Sequence, residues 1–248
     1  MPLWGSRFSL PVLGASAVLA LLGASPAYAS LLGVYGMTDD VWAAPVAQGR
    51  YVLDGRAWYV TQSPGALTLP ALTVAYGLPA NLEIGLSGAY GISGPGSNVA
   101  ASAPSPLSAY LKWLVPGSVG GTTFGLIAGG QVPLSSAMEH NLALEGVASI
   151  PLGSALGLDV GLGVGENLVD PAFLEHGNLA LYYTFASGQV VMGEVGTVLV
   201  GSAPAYVEHV GFVQPLTRSL TGDISLAANE SSLGFGGFVP QVGLTNTF

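Results

Sequence analysis

The stretch Tyr76 to Ser93 reads YGLPANLEIGLSGAYGIS, a Gly/Pro/Asn turn followed by one long alternating run. From Leu82 the even positions are Leu82, Ile84, Leu86, Gly88, Tyr90 and Ile92, and the odd positions are Glu83, Gly85, Ser87, Ala89, Gly91 and Ser93. Side chains alternate faces along a strand, so this run carries one oily face and one polar or very small one. A half-buried strand of a soluble sheet shows such alternation over about 5–6 residues. A strand that crosses a bilayer at a tilt needs about 9–11, and the length of this run therefore predicts a membrane strand.

Composition points the same way. The 248 residues are 50% hydrophobic and only 8% charged, whereas an ordinary soluble domain is about a quarter charged. A membrane helix needs about 20 continuous apolar residues, and after residue 29 every hydrophobic run is broken by Gly, Pro or a polar residue. A closed β-barrel is the other structure that satisfies all its backbone hydrogen bonds in lipid. With no cysteine, disulfides and thiol chemistry are excluded.

Arg7 precedes the apolar stretch Phe8 to Leu22, and the small-residue site Ala27-Tyr28-Ala29 follows. This predicts a secretory signal peptide over residues 1–29; the alternative, a retained anchor helix, is opposed by Pro11 and Gly14. Cleavage takes one Arg and no acid from a chain with 5 basic and 14 acidic residues, a balance that disfavours nucleic acid as a partner. Residues 30–49 have no sustained period and read as a leader in the periplasm or as a plug folded into a pore. The barrel is assigned to residues 50–248.

Within it the alternation recurs. Tyr51, Leu53, Gly55, Ala57 and Tyr59 oppose Arg50, Asp54 and Arg56, although Val52 and Trp58 interrupt the polar face. The run from Ala66 to Tyr76 contains Pro70, which cannot donate to a ladder, so a bulge is expected there. Further runs fall at 107–113, 123–132, 142–150, 156–164, 179–185, 190–200, 206–214, 220–229 and 238–248. The facing of 190–200 and 206–214 is ambiguous, because apolar residues occupy both parities. The reading is all-β: a transmembrane antiparallel up-and-down β-barrel of about twelve strands. Every second connection is a tight turn, near Pro79, Gly117, Gly153, Gly188 and Thr217, and the others include polar loops at 94–106 and 166–177. Outer-membrane barrels combine short periplasmic turns with longer outer loops in this way. A weak repeat, GLPANLEIGLS at 77–87, PLGSALGLDVGL at 151–162 and PLTRSLTGDISL at 215–226, places Glu83, Asp159 and Asp223 on the polar parity.

Two resemblances follow from these residues. The ending Val242 to Phe248, VGLTNTF, resembles the last strand of Gram-negative outer-membrane proteins, which implies recognition of its terminal Phe by the barrel-assembly machinery. The segment LTLPALTVAYGLPANLEIGLSGAYG at 67–91 is similar to the meta-pathway phenol-degradation family of transporter-like outer-membrane proteins, with Pro79 and Ala80 in place of the usual polar turn residues. The likeness implies a barrel that passes small or aromatic compounds, and no catalytic residues.

On the facing above, Arg50, Asp54, Arg56, Glu83, Lys112, Glu145, Asp159 and Asp223 line the lumen, joined by Glu194 and Glu208. An acidic bore attracts cations, and its charges need water or a partner, so a wet lumen is expected. Trp113, Phe124, Phe185 and Phe248 are expected to anchor the barrel at the lipid–water boundary, with outer-membrane lipid around it. The three histidines, His140, His176 and His209, lie in no setting like that of an outer-membrane phospholipase, and His140 and His176 read as loop residues; no enzyme and no cofactor are expected. Glu166, Asp170 and Glu175 are candidates for Ca²⁺ in an outer loop, against the simpler reading of a solvated acidic loop, and no metal site is assigned. The expected function is a passive pore or transporter for small solutes with a cation-preferring lumen. The alternatives are a structural or surface-binding barrel blocked by residues 30–49, and a soluble secreted β-protein.

Overall fold

The computed structural model describes residues 44–60, 66–93, 102–104, 107–132, 141–167, 172–200, 203–231 and 234–248. The expected signal peptide, most of the leader and the loop segment Ser135 to His140 lie outside the described residues. Thirteen strands follow in order: β1 Tyr51–Val60, β2 Ala66–Leu78, β3 Leu82–Ser93, β4 Ser102–Pro104, β5 Leu107–Leu114, β6 Thr123–Val132, β7 Asn141–Pro151, β8 Leu156–Asn167, β9 Ala172–Thr184, β10 Val190–Val200, β11 Ala203–Pro215, β12 Leu220–Ser231 and β13 Gly234–Thr247. Every pairing is antiparallel. Each strand pairs with the next in sequence, except that β5 pairs β3 beside the three-residue β4. Pairing of β1 with both β2 and β13 closes the ring, so twelve strands make the wall.

The wall is turned inside out relative to a soluble protein. In β3, Ile84 and Leu86 are 47% and 60% exposed while Glu83 between them is 0% exposed. The same holds around the ring, with Leu111, Leu144, Leu162, Leu181, Val195, Ile224 and Leu244 outside. Such a continuous apolar coat is far larger than a water-soluble monomer tolerates and matches the lipid face of a transmembrane barrel.

Details of the wall follow local chemistry. The β2–β3 register shifts between Thr68 and Ala71, the bulge expected around Pro70, whose missing N–H leaves a gap in the ladder. A second shift lies between Arg56 and Trp58 against β2. In the β2–β3 turn Ala80 and Asn81 have φ of 61° and 60°, the left-handed region that tight hairpins require. The expected loop at 166–177 is shorter than its composition suggested. Strand β8 continues to Asn167 and β9 begins at Ala172, because the ladder runs on past the Glu166↔Phe173 and Glu175↔Val164 pairs.

Inside, glycine on one strand makes room for a large side chain from its neighbour. A β-carbon on Gly85 would collide with the Tyr110 ring, and one on Gly157 with the Tyr182 ring. This close approach fills the bore with side chains: Tyr110, Ile127, Ala180, Ala227 and Val239 are all buried.

Candidate functional site: the enclosed face of the barrel

Strand alternation delivers most of the charge of the wall to its inner face. Asp54, Glu83, Lys112, Glu145, Asp159 and Asp223 are all buried there, and Arg56 is nearly so. Arg50 departs from the expectation. It precedes β1 in the sharp bend after Gly49, and it is exposed at the rim. Glu194 is inside, but Glu208 is a correction: it is exposed on the outer face, paired across the ladder with Val195, while the adjacent His209 is buried inside.

All of the inner charges but Asp159 fall into three groups. At the closing seam, Arg56 Nε lies 2.6 Å from Asp54 Oδ2 and its Nη1 lies 3.0 Å from Asp223 Oδ1. The Thr245 hydroxyl donates to Asp54 Oδ1 at 2.5 Å. Planar guanidinium geometry suits this two-carboxylate clasp. In the second group Glu83 accepts from the Tyr110 hydroxyl at 2.8 Å and from the Val46 backbone N–H at 2.6 Å, with Lys112 Nζ at 3.5 Å. Val46 comes from the segment before β1, packs on Val52 and Ala75, and crosses so close to Gly77 that a β-carbon there would strike the carbonyls of Val46 and Ala47. The third group is at mid-height: Glu145 on β7, His176 and Asn178 on β9, Glu194 on β10 and His209 on β11. Here His176 Nδ1 stands 3.8 Å from Glu145 Oε1, His209 Nδ1 stands 3.5 Å from Glu194 Oε2, and Asn178 Nδ2 donates to Glu194 Oε1 at 3.4 Å.

Two expectations change. Most of the inner charges among the described residues are held by partner side chains and glycine sockets and have almost no exposed surface, where a wet lumen was expected. His176 is no loop residue; it is 4% exposed inside β9. A two-residue extension of the polar parity Asn178, Ala180, Tyr182 back to His176 was the signal for it. Tyr110 likewise sat on the polar parity of its strand, though nothing in the sequence marked it as a partner of Glu83. Glu166 and Glu175 belong to strands and are exposed, while Asp170 lies outside the described residues. Among the described residues no cluster of His, Asp or Glu is arranged to hold a metal ion.

The expected anchors Trp113, Phe124, Phe185 and Phe248 all face outward, 36–57% exposed, at the tight-turn end of the wall. Tyr183 stacks edge-on against Phe185 with ring centroids 4.9 Å apart, and Tyr51 lies 4.4 Å from Tyr76.

The fold is also found among solved structures. The outer membrane channel COG4313 from Pseudomonas putida F1 superposes with a TM-score of 0.62 at 11% identity, covering 87% of this chain and 100% of that one. The chain has the fold of an outer-membrane channel. The KdgM porin superposes with a TM-score of 0.56 at 13% identity over 79% of this chain and 99% of that one. The same porin in complex with disordered oligogalacturonate gives 0.56 at 12% identity over the same shares. No family model matches the sequence, so the likeness at 67–91 to the phenol-degradation family carries no family assignment. No curated protein matches it either.

Proposed function

We propose that the protein is a passive channel for small solutes across the outer membrane, with a narrow lumen that favours cations over anions. The observation that carries this reading is the enclosed charge: six carboxylates, Asp54, Glu83, Glu145, Asp159, Glu194 and Asp223, face inward against Arg56 and Lys112 among the described residues. A wall with an excess of acids lowers the energy of a cation in the bore and raises that of an anion. The channel fold supports it, and the resemblance at 67–91 favours small or aromatic compounds as the solute class. Outer-membrane lipid surrounds the wall, and strand β13 with Phe248 is the segment that the barrel-assembly machinery reads. The test is reversal potential in planar bilayers under a salt gradient. A cation-selective potential supports the reading, and anion selectivity or no conductance overturns it.

A second reading, a barrel whose bore is blocked by residues 30–49, draws support from Val46. Its N–H is bonded to Glu83 and its side chain is packed on Val52 and Ala75, so the chain before β1 already occupies the foot of the bore. In this reading the protein binds at the surface or serves a structural role and does not conduct.

A further inference from the structure

Side chains on β7 and β9 meet over β8, because β8 presents only glycine to the bore at that height. Gly163 pairs with Glu145 on one side and His176 on the other, and Gly161 pairs with Asn178. Glu145 Oε1 lies 2.8 Å from where a Gly161 β-carbon would sit, and Asn178 Oδ1 lies nearer still. Two oxygen acceptors therefore converge over one glycine. Neither oxygen of Glu145 and neither ring nitrogen of His176 has a hydrogen-bond partner among the described residues.

The chain's own donors do not resolve this. His176 Nδ1 is 3.8 Å from Glu145 Oε1, beyond hydrogen-bonding reach. Lys112 is drawn to Glu83, 3.5 Å away. Asn178 stands between Glu145 and Glu194 and turns its amide nitrogen to Glu194. Rotating the amide exchanges the problem without removing it, since the oxygen then faces Glu194. Buried acceptors without donors cost free energy. Their complement is a positive group that carries several N–H bonds.

We infer that Glu145, His176, Asn178 and Glu194 form a binding subsite for the primary ammonium or guanidinium group of a small organic cation. A metal ion fits less well, given that no cluster here has a metal-binding arrangement. The inference rests on the channel reading only for the route by which the solute arrives.

Putrescine is the probe, titrated calorimetrically into the full-length protein in detergent, with tetramethylammonium as a cation of equal charge type that has no N–H donor. Saturable binding of putrescine without binding of tetramethylammonium is expected. Glu145→Gln is expected to weaken it about tenfold or more, the size of one charge-assisted hydrogen bond, while the outward Glu208→Gln leaves it unchanged. Equal behaviour of the two cations, or an unaltered Glu145→Gln, overturns the subsite. If Glu145→Gln does not fold, His176→Gln and the comparison of the two cations on the unmodified protein decide. Binding without conductance removes the channel and keeps the subsite, and conductance without binding does the reverse.

Discussion

Arg56 on β1 and Asp223 on β12 are ion-paired at 3.0 Å across the intervening strand β13. The bridge is possible because β13 offers Gly243 at that point: a β-carbon there would lie 2.6 Å from Asp223 Oδ2. Asp54 holds the same guanidinium from its other side, so one cation ties β1 to β12 over β13 at the junction where the ring closes.

Arg56→Ala leaves Asp54 and Asp223 buried without their shared cation. Removing one partner of such a buried pair costs about 3–5 kcal/mol. The expected outcome is a lower urea midpoint and loss of heat-modifiable gel mobility at a lower temperature. Arg56→Lys, which cannot fork between two carboxylates, falls between the two proteins.

Glu208 predicts the opposite sign. It is the sixth residue of the thirteen in β11, near mid-height, and it faces outward beside Leu179, Val195 and Val210. Charged residues on the lipid face of a barrel cost up to about 2–4 kcal/mol at the midplane, acids less than bases. Glu208→Leu is therefore expected to raise stability in urea titrations of the liposome-embedded protein, and Glu194→Leu, which breaks inner contacts, to lower it.

The glycine sockets can be tested by filling one. Gly85→Ala puts a methyl group into the Tyr110 ring, and overpacking of this kind costs about 1–3 kcal/mol. Gly85→Ala combined with Tyr110→Phe does not rescue it, since the ring is still present, whereas Tyr110→Ser does. Refolding yield from urea measures all three.

Deleting residues 30–49 removes Val46 from Glu83 and frees the foot of the bore. If that segment restricts passage, single-channel conductance rises in planar bilayers; unchanged conductance eliminates the blocked reading.

Period-two alternation was enough to read the facing of β3, β7 and β8, and of β1 despite Val52 and Trp58 on its polar face: Leu144 outside and Glu145 inside follow from parity alone. It failed in β11, where Val207, Val210, Phe212 and Val213 place apolar side chains on both parities. Glu208 and His209 were then two neighbouring polar residues with nothing to rank them. Only the pairing of His209 with Glu194 and Ala227 decides which one is enclosed. His176 was missed for a different reason. Three acids and Pro171 nearby look like a solvated loop, but the ladder pairs His176 with Gly163 and Val198, and a side chain that faces the bore can be polar within a strand. The filling of the bore was illegible too, since a glycine gives no sign of which neighbour will lie across it.

Strands β1 and β13 exchange backbone bonds at their ends, with the Phe248 N–H donating to the Tyr51 carbonyl at 2.9 Å. These partners stand almost the whole length of the wall apart in sequence, so the contact that abolishes the two free edges is the one with the highest loop-closure cost. Hairpins from β2 onward can zip locally, yet each intermediate keeps two unpaired margins that lipid cannot satisfy and that another chain can. Assembly is thus all-or-nothing at its final step, and a chain halted before β13 is left as an open, adhesive sheet.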